Sequence, residues 1–170
     1  MEMNFCRRCG ASLQHVNNHV YKCTNDHILF ANSSPATAIW LVNSKNEVLI
    51  VERAIKPGKG LLDAPGGFLD GDIETFEQAI EREVAEEIGI NKNQYTDLTY
   101  LLSGVDQYEY GGEAIPVLTC MYWARIEDDV TLNPMDDVAS ASFMSFEDID
   151  LNKVYFPSAV RGLKMLKELL

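Results

Sequence analysis

The 170-residue chain has no uninterrupted stretch of uncharged apolar residues of the ~18 that a membrane-spanning helix requires. Its opening, MEMNFCRRCG, lacks the apolar core of a secretory signal. Both absences point to a cytoplasmic protein without a membrane partner. Basic residues are scarce, 14 Lys and Arg against 26 Asp and Glu, for a formal net charge of −12. Broad binding to nucleic acid relies on Lys and Arg displacing counterions from phosphates, so this balance makes nucleic acid an unlikely partner. An anionic substrate stays open, because a divalent cation held by local carboxylates reverses the field where it matters. There is no internal repeat and no low-complexity segment. What is present, 46% hydrophobic residues, suffices for one ordinary domain with a small appendage.

Cysteine is also sparse, and its placement is uneven: Cys6, Cys9 and Cys23 open the chain, while Cys120 stands alone in VLTCMYWA, where it reads as core filling. In a chain without a signal peptide, a tight cysteine cluster reads as metal ligation before it reads as a disulfide framework. Cys6-x2-Cys9, thirteen residues, then Cys23-x3-His27 offers three thiolates and an imidazole at spacing suited to tetrahedral Zn²⁺. Asp26, His15 and His19 stay open as substitutes for His27. Arg7 and Arg8, between the first two ligands, are thin support for nucleic-acid contact, and a structural or docking role is the better reading. We place this appendage at residues 1–32 and the main domain at residues 33–170.

In the main domain, ATAIWLV and EVLIVER read as two strands joined by the NSKN turn. KPGKG reads as a loop, LLDAPGGFL as a short strand broken by Pro65, Gly66 and Gly67, and residues 75–89 as a helix ended by Gly89. Strands are expected at 96–104, 115–126 and 139–146, and a closing helix from Pro157. The fold class is α/β.

The helix at 75–89 carries the chemistry. At about 100° per residue, with Phe76 at zero, Ile80, Val84 and Ile88 fall near 40°, 80° and 120° and Ala79 near 300°, which defines a buried face. Glu83 and Glu87 fall inside that stripe at about 340° and 20°, with Glu86 beside them at about 280°. Like charges placed toward a core are costly unless something positive lies between them, and Arg82 reaches at most one edge of the cluster. A hard divalent cation with oxygen ligands resolves the conflict, and Mg²⁺ also binds substrate phosphates. Just upstream, Gly66 and Gly67 let a backbone carbonyl or amide approach a metal or phosphate closely.

The string GGFLDGDIETFEQAIEREVAEEIGI resembles the signature of the Nudix hydrolases. Gly67, Glu74, Arg82, Glu83, Val84, Glu86, Glu87, Gly89 and Ile90 match it in order, with one departure. Six residues separate Gly67 from Glu74 where the family usually has five, as though one were inserted around Asp72 or Ile73. RAIKPGKGLLDAPGGF and FMSFEDI are also similar to stretches of these enzymes. The resemblance implies a Nudix-type α/β/α sandwich with a mixed sheet, here preceded by a small zinc ribbon as in NADH pyrophosphatase-like members. It implies that Glu83, Glu86 and Glu87, with a backbone carbonyl at Gly67 or its neighbour Gly66, coordinate Mg²⁺ or Mn²⁺. Arg82 would orient Glu74 and the cluster, and Glu86 leads as the general base. The reaction implied is metal-dependent hydrolysis of the diphosphate linkage in a nucleoside diphosphate derivative, which makes a nucleotide-type small molecule the partner. A homodimer stays open.

Substrate choice rests on loops outside this signature. Tyr108 and Tyr110, in GVDQYEYGG, are candidates for a base pocket, with ordinary strand or loop aromatics as the alternative, and Arg53 and Lys56 are candidates for phosphate contact or a surface ion pair. The Ser-Gln-Pro-Trp-Pro-Phe-Pro motif usual in NADH pyrophosphatases is missing, which favours ADP-ribose or a related sugar nucleotide over NADH. Two alternatives from other classes are a non-catalytic Nudix-fold nucleotide sensor, which would normally show eroded acidic residues, and a zinc-ribbon nucleic-acid adaptor.

Overall fold

The computed structural model describes residues 3–71 and 73–170. The chain divides into two compact units, Met1–Ser34 and Pro35–Leu170. The first holds a three-stranded antiparallel sheet of β1 (Leu13–Asn17), β2 (Val20–Cys23) and β3 (Ile28–Phe30). Its core consists of little more than Cys6, Cys23 and Leu29, too small to hold a fold by apolar burial alone.

The second unit is built on a six-stranded sheet in the order β6-β5-β4-β8-β7, with β9 also paired to β5. Its strands are β4 (Ser34–Val42), β5 (Val48–Arg53), β6 (Leu62–Asp63), β7 (Thr99–Tyr110), β8 (Glu113–Arg125) and β9 (Val138–Met144). Two helices, α1 (Phe76–Ile88) and α2 (Pro157–Leu169), cover the mixed sheet. β4 explains the layering. Ala38, Trp40 and Val42 join the core that includes Leu163 and Leu166 of α2, while Ile39 and Leu41 join the core that includes Ile80, Val84 and Ile88 of α1. A strand buried on both faces is apolar nearly throughout, hence ATAIWLV, whose one polar side chain, Thr37, donates to the Cys120 carbonyl. The result is the α/β/α sandwich expected from the sequence. Among the described residues, no helix is long and apolar enough to cross a membrane.

The hairpin of β4 and β5 forms as read, with Val42 opposite Val48. The stretch 105–110 differs from expectation. It continues β7 to Tyr110 and pairs with β8 residue by residue to Glu113, so Tyr108 and Tyr110 lie on a strand and not in a loop. Gly104, where the expected strand stops, is where α2 crosses: a Cβ there would lie 2.5 Å from an Arg161 Nη and 2.6 Å from the Ser158 Cβ.

Candidate active site

α1 starts where local chemistry tells it to. The Thr75 side chain accepts the Gln78 amide while the Gln78 side chain accepts the Thr75 amide, satisfying two donors that a helix N-terminus leaves free. That start fixes the helical phase. Ala79, Ile80, Val84 and Ile88 face the core, and Glu87 is buried among them at 7% exposure. Glu83 is largely buried beside it, and Glu86 is half exposed.

Arg82 organises this face. Its Nε and one Nη make a fork with the two Glu74 oxygens, at 3.0 and 2.9 Å. The other Nη meets Glu83 at 2.9 Å and Glu86 at 3.1 Å. A further bond of 3.0 Å reaches the Phe68 carbonyl. Glu74 also accepts the Asp70 amide at 2.9 Å, and with the Arg82 cation it is held below the usual carboxylate range. The extra residue before Glu74 is thus absorbed by the loop. Ile73 points into solvent, while Asp72 lies outside the described residues.

Glu87 has a different partner. Its Oε2 accepts the Gly66 amide at 2.9 Å. Burial pushes this carboxyl up to about 8, against the pull of that amide. Burial likewise raises Glu83, with Arg82 opposing it. The glycine loop is shaped around these groups. At Gly67 a Cβ would collide with Glu83 Oε1, and at Gly66, whose φ is +143°, it would collide with the Thr37 carbonyl. The Gly67 carbonyl accepts the Thr37 amide at 2.9 Å, which leaves the neighbouring Gly66 carbonyl as the freer of the two. Among the described residues, Glu83, Glu86 and Glu87 each keep one oxygen without a protein partner. Carboxylate oxygens and a glycine carbonyl are hard donors of the kind that Mg²⁺ or Mn²⁺ prefers. They do not converge as tightly as the Cys/His set described below, because Arg82 draws Glu83 and Glu86 while Gly66 draws Glu87.

This face forms one wall of a cleft of about 300 Å³. Among the described residues, eight carboxylates and two guanidinium groups line it. Asp136 and Asp137, just before β9, belong to that lining, as do Asp63 and Asp106, both buried. None of these four stood out in the sequence. Arg53 lines the cleft but is already engaged. Nη1 pairs with Asp63 at 2.9 Å, Nε donates to the Pro57 carbonyl at 2.7 Å, and the guanidinium lies 5.5 Å from the Tyr155 and Phe156 ring centres. Burial lifts Asp63 to about 6, with the Arg53 charge pulling the other way. Tyr108 reaches the cleft and meets Phe68 edge-on at 5.3 Å and Phe156 near-parallel at 6.4 Å. Tyr110 is 70% exposed at the hairpin tip and is not part of the lining, because β7 outruns the cleft by one inward step. Lys56 is exposed in its loop.

A model described as NUDIX domain matches residues 32–164. The chain belongs to the Nudix family. It is a Nudix pyrophosphohydrolase, and Nudix enzymes typically use Mg²⁺ or Mn²⁺. No curated protein matches it significantly. Among solved structures, a NUDIX hydrolase from Nitrosomonas europaea is similar at 22% identity and TM-score 0.70, over 98% of this chain and 92% of that one. The NUDIX domain of Shewanella oneidensis NrtR, complexed with ADP ribose, is similar at 19% identity and TM-score 0.66, over 82% and 90%. A bifunctional NMN adenylyltransferase/ADP ribose pyrophosphatase from Francisella tularensis is similar at 23% identity and TM-score 0.64, over 82% and 42%.

The N-terminal unit brings Cys6, Cys9, Cys23 and His27 together, their ligand atoms all within 4.8 Å of one another. His15, His19 and Asp26 are not in that group, and Asp26 pairs instead with Lys22 at 2.7 Å. Cys6 Sγ lies 3.5 Å from His27 Nδ1, and Cys9 Sγ lies 3.8 Å from Cys23 Sγ. A tetrahedron with Zn–S of ~2.3 Å and Zn–N of ~2.05 Å has edges of about 3.8 Å between sulfurs and about 3.5 Å between sulfur and nitrogen. The set therefore fits a zinc ion.

Proposed function

We propose that this Nudix hydrolase cleaves the diphosphate bridge of a nucleoside diphosphate derivative with Mg²⁺ or Mn²⁺, releasing two monophosphates, and that ADP-ribose or a related sugar nucleotide is preferred to NADH. The observation that carries this reading is the charge of the cleft. Eight carboxylates against two guanidinium groups repel a diphosphate unless divalent cations accompany it. Glu83, Glu86, Glu87 and the carbonyl of Gly66 or Gly67 would hold the cation. When bound, it neutralises charge developing on the phosphoryl oxygens and lowers the pKa of its water.

The rest is done by the chain. Arg82 holds Glu74, Glu83 and Glu86 in register and fixes Phe68 through its carbonyl. Glu86, the most exposed of the three ligands, is our choice as the proton acceptor for the attacking water. Tyr108, with Phe68 and Phe156, offers a stacking wall for the base. The absence of the Ser-Gln-Pro-Trp-type motif argues against NADH. The two similar structures from Shewanella oneidensis and Francisella tularensis, an ADP ribose complex and an ADP ribose pyrophosphatase, support the ranking at the level of fold. We assign residues 1–32 as a ribbon holding one structural Zn²⁺ and residues 33–170 as the catalytic domain. The test is a panel of ADP-ribose, a UDP-sugar, NADH and a dinucleoside polyphosphate with Mg²⁺ or Mn²⁺, ranked by kcat/KM. ADP-ribose or a sugar nucleotide should lead, and a clear preference for NADH overturns the ranking.

A further inference from the structure

Two residues of β7 and two at the start of α2 face each other in the cleft. Asp106 and Tyr108, two apart on one strand, point to the same side. Opposite them stand Ser158 and Phe156. The near-parallel rings of Tyr108 and Phe156 lie 6.4 Å apart. Beside them, Asp106 accepts the Ser158 amide at 3.3 Å on Oδ1 and the Ser158 hydroxyl on Oδ2. All four residues line the cleft. An aromatic surface thus adjoins a hydrogen-bonding edge.

The Ser158 bonds alone would make Asp106 a cap for α2. Two features go beyond that role. Asp106 is 93% buried, yet among the described residues no Lys or Arg pairs with it. A buried carboxylate without a cation is costly, and helix capping does not need one there, since Ser, Thr or Asn serves as well. An ionised carboxylate also offers about four acceptor sites and no donor. Ser158 fills two of them, so acceptor capacity is left on a cleft wall next to a stacking surface.

We propose that Asp106 selects the base of the substrate: a flat heteroaromatic ring lies against Tyr108 and Phe156 and donates an exocyclic amino hydrogen to the free acceptor sites of Asp106. Adenine, cytosine and guanine carry such an amino group. Uracil does not, and the carbonyl oxygens flanking its one ring N–H would be pushed against the carboxylate. The site therefore accepts amino-bearing bases and rejects uracil. This deepens the proposed function, on which it rests for the placement of the nucleotide.

The test is binding of AMP, GMP, CMP and UMP to the full chain, which requires no turnover, together with hydrolysis of ADP-ribose and a UDP-sugar. A site built around a hydrogen-bond acceptor discriminates strongly against a ligand that cannot donate, so the wild type should bind at least one amino-bearing nucleotide about 10-fold or more tighter than UMP. Asp106→Asn can still accept from the Ser158 amide. It should reduce that ratio to about 3-fold or less and raise KM for the amino-bearing substrate more than it lowers kcat. Ser158→Ala, which removes one cap donor and leaves the carboxylate, should keep the preference. No preference in the wild type, or an equal loss for all four nucleotides in Asp106→Asn, overturns the proposal whether or not the variants fold equally well. If base preference holds while no diphosphate is cleaved, it is the proposed reaction that fails and not the base site.

Discussion

Glu87 and Gly66 are joined by a 2.9 Å hydrogen bond from the glycine amide to the buried carboxylate, which ties the carboxylate face of α1, our proposed metal site, to the loop in front of it. Glutamine in place of Glu87 keeps an oxygen for that amide and removes only the charge. Glu87→Gln and Glu83→Gln should therefore retain the fold by circular dichroism and lose about 100-fold or more in kcat. Glu81, exposed and off the cluster, should tolerate the same change with little effect. Equal losses at all three positions contradict the division of this helix into faces.

Gly66 serves the same contact from the other side. Alanine there would hold a side chain at φ +143° against the Thr37 carbonyl. Gly66→Ala should lose about 2–4 kcal/mol of stability in a urea titration. A wild-type midpoint would show that the loop has room for a Cβ beside the Thr37 carbonyl.

Arg82 and Glu74 form a partly buried fork. Lysine cannot reproduce that geometry. Arg82→Lys should lower kcat/KM by about 10-fold or more, and Glu74→Gln should add little once Arg82 is gone. Additive losses in this double-mutant cycle would mean that the two residues act separately.

In the ribbon, metal analysis should find one zinc per chain, lost on Cys6→Ser or Cys23→Ser. Because its core is so small, zinc removal should unfold the unit, seen as new protease cleavage within the first 34 residues. Full protease resistance after chelation would refute the metal's structural role.

Much of this molecule was legible because its signals are local. The α1 register follows from the apolar spacing and the Gly89 stop, so the placement of Glu83 and Glu87 inside the apolar stripe could be read from angles, and the glycines just upstream favoured a buried site over a solvated face. The Cys/His spacing likewise identified the four residues that the fold gathers. What was missed depends on contacts distant in sequence. The strand was expected to stop at 104, yet it runs on to Tyr110, and Gly104 admits Ser158 and Arg161 of α2. That misreading cut β7 short and hid Asp106, whose alternation with Tyr108 was the one available clue. Arg53 was open to phosphate contact or an ion pair, and nothing in its neighbourhood of the sequence announces Asp63 as its partner. Asp136 and Asp137 reach the cleft only through the pairing of β9 with β5.

The most direct test of the central claim is hydrolysis of ADP-ribose in ¹⁸O-labelled water, with Mg²⁺ and with a chelator, followed by ³¹P NMR and mass spectrometry of the products. The proposed chemistry predicts AMP and ribose 5-phosphate, a single ¹⁸O on one of the two phosphates, and no turnover with the chelator. Cleavage that persists without divalent metal, or an enzyme that ignores the diphosphate bridge and releases pyrophosphate from a nucleoside triphosphate, would contradict it.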